Sequence, residues 1–283
     1  MTDVQAITVL GAGTMGHGIA HAAVAAGYAT TMFDVADAAL QRARTQIDAI
    51  LRKTVELGKG TAADADASLA RLTITTNVAA ALSGADFVIE AAPERLDLKL
   101  NLFAEIDRHA PPGAVIGTNT SALSITEMAG LLRQPARVAG MHFFNPVHKM
   151  KLVEIVRALE SSSETLETVT HVATRMGKET VLVREAPGFI TTRVNASIGN
   201  EAFYMLMEGV ASARDIDKAL KLGLNHPMGP FELVDLVGLD TRLSILEYLH
   251  KSMGEKYRPC PLLAQYVKAG RLGKKVGRGV YEY

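Results

Sequence analysis

The chain has 283 residues, and thirty Lys and Arg balance thirty Asp and Glu to a formal net charge of zero. That balance supplies no global field to recruit nucleic acid or an anionic membrane, so any anion must be held by local groups. Cys260 is the single cysteine, which excludes an internal disulfide and suits a reducing compartment. The length exceeds one typical domain, and two are expected.

"MTDVQAITVLGAG" runs at once into a predicted strand, so no signal or transit peptide is expected. No apolar run approaches the ~20 residues of a membrane span, so a cytoplasmic location is expected. Apolar runs of strand length at 6–10, 30–34, 86–92, 114–119 and 137–144 alternate with helical patterns at 14–26, 37–57, 96–109 and 124–132. Alternation with nearly all-apolar strands predicts an α/β, doubly wound parallel sheet covered on both faces. The stretch 37–70 is longer than a crossover needs, and reads as a helical hairpin joined at Gly58–Gly60 and inserted into the βαβ plan. At "REAPGFI" Pro187–Gly188 breaks the pattern, and helices are expected over about 189–208, 212–222, 229–237, 240–252 and 261–269. The expected domains are therefore 1–185, α/β, and 186–283, all-α. The tail "GRLGKKVGRGVYEY" is too short to be a domain and must lie on something.

"ITVLGAGTMGHGIA" sets Gly11, Gly13 and Gly16 in G-x-G-x-x-G spacing after a strand and at the opening of a helix. In a Rossmann-like fold Gly11 makes the tight turn, Gly13 lets backbone approach a pyrophosphate, and Gly16 lets helix and strand pack closely. The loop Gly11, Ala12, Gly13, Thr14, Met15 and Gly16 would then cradle phosphates on unpaired amides. Asp34 ends the second strand about 20 residues on, where an acid accepts from a ribose 2′-hydroxyl and repels a 2′-phosphate. NAD is expected rather than NADP.

In "GMHFFNPVHKMKLVEIV" His142 lies in an apolar run and Glu154 in the next. A buried histidine can be satisfied by a backbone carbonyl. It can also be a general base that takes a hydroxyl proton during hydride transfer, oriented by a carboxylate on its far ring nitrogen. Ligands of doubly wound sheets bind beyond the carboxyl ends of the strands, where "TNTSALS", "HFFNP" and Glu90–Glu94 fall. Ser121 there is either a substrate-fixing hydroxyl or a cap ahead of "SITEM"; Asn145 is either a substrate contact or a turn residue before Pro146.

Together, "GAGTMGHGIA", "NTSALSI", "GMHFFNPVHKMKLVEIV", "PGFI", "NHPMGPFELVDLVGLD" and "GKKVGRGVYEY" resemble the L-3-hydroxyacyl-CoA dehydrogenases over the full length, most of all the compact bacterial 3-hydroxybutyryl-CoA enzymes. The resemblance implies an NAD-dependent oxidoreductase of fatty acid metabolism acting on an acyl-CoA. It makes His142 the catalytic base paired with Glu154, with Ser121 and Asn145 on the substrate. Its cofactor residues fall on the glycine loop, Asp34, Glu94, Lys99 and Lys275, and it implies a homodimer formed by the helical domain. No metal enters this scheme. Two positions depart from the family. Many members have "GF-x-x-N-R" with a catalytic asparagine where this chain has "GFITTR", so Thr192 stands there, with Asn195 one turn later as the alternative. In the hairpin, Ile50 and Leu57 fall where some relatives have polar CoA contacts. Lys53 and Lys59 are nearby candidates for the CoA phosphates, or plain solvated lysines. The competing functions are a dehydrogenase of a free 3-hydroxy acid such as gulonate, and a non-catalytic NAD-binding protein.

Overall fold

In the computed structural model, which describes residues 3–283, the chain begins with β1 (Ala6–Leu10), α1 (Thr14–Ala25) and β2 (Ala29–Phe33). Every residue of β1 after the first is buried, as a strand covered on both faces must be. The helical hairpin follows as α2 (Asp37–Glu56) and α3 (Ala62–Ala70). Leu40, Ala43, Ile47 and Leu51, spaced by three and four, form the one buried stripe of α2. A capping box between Thr61 and Asp64 starts α3. Then come β3 (Leu72–Thr75), α4 (Val78–Leu82), β4 (Phe87–Glu90), α5 (Leu96–His109), β5 (Val115–Thr118), α6 (Ile125–Ala129) and β6 (Val138–Phe143). β7 (Leu152–Arg157), α7 (Ser163–Arg175) and β8 (Glu179–Arg184) complete the first of two units, Met1–Glu185 and Ala186–Tyr283.

The eight strands form one sheet in the order β3-β2-β1-β4-β5-β6-β7-β8. Pairing is parallel from β3 through to β6, as the strand–helix alternation predicts. It turns antiparallel between β6 and β7, then parallel again between β7 and β8. The reason is the connection: 144–151 holds no crossover helix, so the chain reverses directly and the next strand pairs antiparallel. In that register His142 lies opposite Glu154. The strand order reverses between β1 and β4, which opens a crevice at their carboxyl ends.

The second unit is helical: α8 (Thr191–Met207), α9 (Ala213–Gly223), α10 (Pro230–Val237), α11 (Leu239–Met253) and α12 (Pro261–Lys268). Phe203, Phe231, Leu246, Leu249 and Leu263 are its fully buried centre, with Phe203 and Phe231 edge to face at 5.2 Å. The C-terminal tail lies on α9 and α10. The amides of Val280 and Tyr281 donate to Asp235 at 2.8 and 2.9 Å, and the Tyr281 hydroxyl donates to Asp217 at 2.7 Å. A Cβ on Gly279 would sit 2.0 Å from the Asp235 carboxylate, so only glycine lets the tail seat there. No helix among the described residues is long and apolar enough to cross a membrane.

One buried group gives the fold a pH dependence. His21, 9% exposed on α1, has its pKa pushed down from 6.5 to about 4, first by burial and then by His148, Lys178 and His17. Below pH 6.5 the unfolded chain takes a proton that the folded chain refuses, so this group removes stability as pH falls towards 4. The loss is on the order of 3 kcal/mol. His21→Leu should flatten the decline in urea midpoint between pH 7 and pH 4.5, and an unchanged slope would contradict the assignment.

Candidate active site

The glycine loop between β1 and α1 divides its glycines by purpose. Gly11 has φ +109°, and a Cβ there would lie 2.7 Å from the Ala91 carbonyl oxygen. A Cβ on Gly16 would lie 1.8 Å from the Gly11 carbonyl oxygen, so the first turn of α1 packs directly on the loop. At Gly13 a Cβ would meet nothing within 4 Å of the protein itself. Gly13 and Thr14 are exposed, and no acid occupies the first turn of α1 to offset its positive end. Two glycines are thus explained by packing and the middle one by open space over free helix amides, which fits a dinucleotide pyrophosphate.

Asp34, just past β2, closes the same loop. Its Oδ2 accepts from the Ala12 amide at 2.9 Å and its Oδ1 from the Ala36 amide at 3.0 Å. The carboxylate is half-buried, while the next residue, Val35, is 84% exposed. Exchanging Asp34→Ala together with Val35→Arg replaces a repelling acid with a guanidinium able to pair with a 2′-phosphate. The ratio of NADPH to NADH kcat/KM should rise at least ~10-fold. A wild-type enzyme that already prefers NADPH would contradict this role.

At the ends of β4 and β5 the acids are held by neighbours. Glu90 and Lys99 are both fully buried, with the ammonium 2.7 and 2.8 Å from the two carboxylate oxygens. Lys99 also donates to the Ala92 carbonyl at 3.2 Å and lies 3.6 Å from Glu94. Lys99 has no exposed surface, and these neighbours surround its ammonium. Glu94 Oε1 accepts the Thr120 hydroxyl at 2.7 Å and the amides of Ser121 and Ala122 at 2.8 and 3.2 Å. The cap of α6 is Ser124, whose side chain accepts from the Glu127 amide, so the alternative role for Ser121 falls to another residue. Ser121 itself is half-buried on the turn that Glu94 holds.

His142 and Glu154 meet across the β6–β7 ladder. The ring is 5% exposed and the carboxylate 0%. Nδ1 stands 2.7 Å from Glu154 Oε2. A carboxylate only accepts, so Nδ1 carries the proton and Nε2, on the opposite side of the ring, is the basic nitrogen. The histidine is therefore paired with a carboxylate, not satisfied by a backbone carbonyl at Nδ1. Phe144 packs against the ring with centroids 4.6 Å apart. The Phe143 amide donates to Asn119 Oδ1 at 2.9 Å, tying the end of β6 to the end of β5. Asn145 is exposed in the turn that follows, before a cis peptide to Pro146. Lys53 is exposed on α2, 2.8 Å from Glu56. In the helical unit, Thr192 is half-buried in the first turn of α8 with Asn195 one turn on, and Lys275 pairs with Asp240 at 2.6 Å.

No local pattern in the sequence marks Thr118, Asn119 or Thr120, and Glu90 reads there only as one end of a polar strand terminus. An acid closing the apolar "FVIE" is the one signal available, since a buried carboxylate demands a partner.

The family model of the 3-hydroxyacyl-CoA dehydrogenase NAD binding domain matches residues 6–186, and that of the C-terminal domain matches residues 188–283. The chain is 48% identical over 286 residues to the "probable 3-hydroxybutyryl-CoA dehydrogenase" of Bacillus subtilis, covering 99% of this chain and 98% of the relative. It is 42% identical over 285 residues to the 3-hydroxyadipyl-CoA dehydrogenase of Escherichia coli, covering 100% of this chain and 60% of that longer protein. The crystal structure of (S)-3-hydroxybutyryl-CoA dehydrogenase from Ralstonia eutropha matches with a TM-score of 0.96 at 41% identity over 99% of each chain. Matched in order through both of its units, the chain belongs to the 3-hydroxyacyl-CoA dehydrogenase family and is an NAD-dependent oxidoreductase.

Proposed function

We propose that the enzyme interconverts (S)-3-hydroxyacyl-CoA and 3-oxoacyl-CoA, with a short acyl chain such as 3-hydroxybutyryl, and that His142 and Glu154 do the proton chemistry. The observation that carries this is the buried 2.7 Å pair at the end of β6. Bound NAD supplies the acceptor for the hydride that leaves C3 of the substrate. Nε2 of His142 takes the C3 hydroxyl proton in the same direction, and returns it when the 3-oxo compound is reduced. Glu154 stabilises the imidazolium so formed and fixes the ring's orientation, a base-and-orienter arrangement typically worth ~10²–10⁴ in rate. Ser121 and Asn145 hydrogen-bond the reacting oxygens.

The glycine loop and Asp34 hold the dinucleotide, with Glu94 and Lys275 assisting and Lys99 acting through Glu94. Lys53 is assigned to the CoA phosphates, for which it would leave Glu56. The protein is assigned to the cytoplasm as a homodimer. Exposed Val194, Met207, Val210, Leu222 and Leu224 of the helical unit supply apolar surface suited to a second copy.

Thr192 is assigned the hydrogen bond that an asparagine makes in many relatives, since Asn195 would have to reach back nearly one turn, ~4.5 Å of rise. Thr192→Val should lower kcat/KM for the CoA substrate about fivefold, the effect of one ~1 kcal/mol hydrogen bond. Asn195→Ala should be mild, and the reverse ranking would transfer the role to Asn195.

Initial rates with acetoacetyl-CoA, longer 3-oxoacyl-CoAs and free acetoacetate, each with NADH and NADPH, test the substrate assignment. Turnover that requires the thioester and favours the short chain supports it. Equal or faster turnover of free 3-oxo acids would replace it with a free-acid dehydrogenase, and no turnover of any substrate would leave a non-catalytic NAD-binding protein.

A further inference from the structure

Glu90 has no part in the proposed proton chemistry, yet both oxygens of its side chain are occupied. Its Oε1 accepts from the Ala92 amide at 2.7 Å and from Lys99 at 2.7 Å. Its Oε2 accepts from Lys99 at 2.8 Å and from the Thr118 hydroxyl at 2.6 Å. The Glu90 carbonyl accepts from the Asn119 amide at 2.8 Å. One residue thus joins the end of β4, the body of α5 and the end of β5. Stability alone is a poor reason for this arrangement, because a buried ion pair can often be replaced by apolar groups without loss. What the pair supplies is direction. It pins one ammonium beneath Glu94, and Glu94 in turn holds the turn of Thr120, Ser121 and Ala122.

We infer that Glu90 is a positioning residue for the dehydrogenase reaction: through Lys99 and Glu94 it sets the place of Ser121 without meeting substrate. The inference rests on the proposed substrate role of Ser121. Without the Glu90–Lys99 pair, the half-exposed Glu94 loses its buried counter-charge and exchanges its three partners on the turn for water.

The test is Glu90→Gln combined with Lys99→Met, which removes both buried charges together and avoids stranding either one. The melting temperature of this double variant should stay close to that of the wild type. The amides of Ser121 and Ala122 should exchange with deuterium at least ~10-fold faster. In the same variant kcat for acetoacetyl-CoA should fall at least ~10-fold. A role confined to packing predicts wild-type exchange at Ser121 and Ala122 and wild-type kcat once charge balance is kept, and that result overturns the inference. Thr118→Val, which removes one donor to Glu90, should speed exchange at the same two amides by a smaller factor. It decides the matter by itself if the double variant does not fold, since wild-type exchange there also overturns the inference. Should the wild-type enzyme leave acetoacetyl-CoA unreduced, the substrate assignment fails, while the exchange measurement still decides the role of Glu90.

Discussion

Replacing His142 by glutamine is expected to cut turnover at least ~100-fold while NADH binds with nearly wild-type affinity. Glutamine is the informative choice because Glu154 is 0% exposed. An alanine would strand a buried carboxylate and confuse lost chemistry with lost stability. Glutamine keeps a polar amide beside Glu154, so the buried carboxylate is not left facing an apolar gap, while the basic ring nitrogen disappears. Affinity for NADH should hold because His142 is on β6, whereas the glycine loop lies between β1 and α1 and Asp34 follows β2. Glu154→Gln should also depress turnover, since an amide lacks the charge that stabilises an imidazolium. Steady-state rates beside a fluorescence titration with NADH separate the two effects. Turnover of His142→Gln within a few-fold of wild type would contradict its role as the base.

The glycine loop gives the second large effect, as a contrast between two single methyl groups. Gly16→Ala places a Cβ 1.8 Å from a backbone oxygen, and neither α1 nor the Gly11 turn can yield without separating. Both melting temperature and NADH affinity should fall, the latter at least ~10-fold. Gly13→Ala meets nothing within 4 Å and has φ −75° and ψ −164°, which an alanine adopts freely. Its melting temperature should match the wild type, yet NADH should bind at least ~10-fold more weakly, because the methyl group would take the space proposed for the pyrophosphate. Gly13→Ala that binds NADH normally would show that the open space is not where the dinucleotide lies.

The parts of this protein legible in its sequence are those governed by local periodicity. β1 and the glycine loop, the helical hairpin and the run of helices after Pro187 all carry patterns that repeat within one element. Elements outside that reach fail for identifiable reasons. β3 is four residues of alternating leucine, threonine and isoleucine at a sheet edge, and β8 is an edge strand with only Val183 buried. Short, half-exposed edges lack the continuous apolar run that marked the central strands. α7, "SETLETVTHVATR", is rich in β-branched residues with weak helix propensity, although Ser162 caps it and Leu166, Val169, Val172 and Ala173 form its buried face. The pairing of His142 with Glu154 was readable as chemistry, whereas the antiparallel reversal that sets it follows from a connection too short for a helix. The Glu90–Lys99–Thr118 cluster depends on three elements converging, and no spacing within one of them announces it.

Hydride transfer from C3 can be followed atom by atom. (S)-3-Hydroxybutyryl-CoA carrying deuterium at C3 is incubated with the enzyme and NAD, and the NADH formed is analysed by mass spectrometry. Direct transfer places the deuterium on the nicotinamide ring of every NADH formed, with acetoacetyl-CoA as the other product. Unlabelled NADH, or no NADH from this substrate at all, would contradict the proposed reaction.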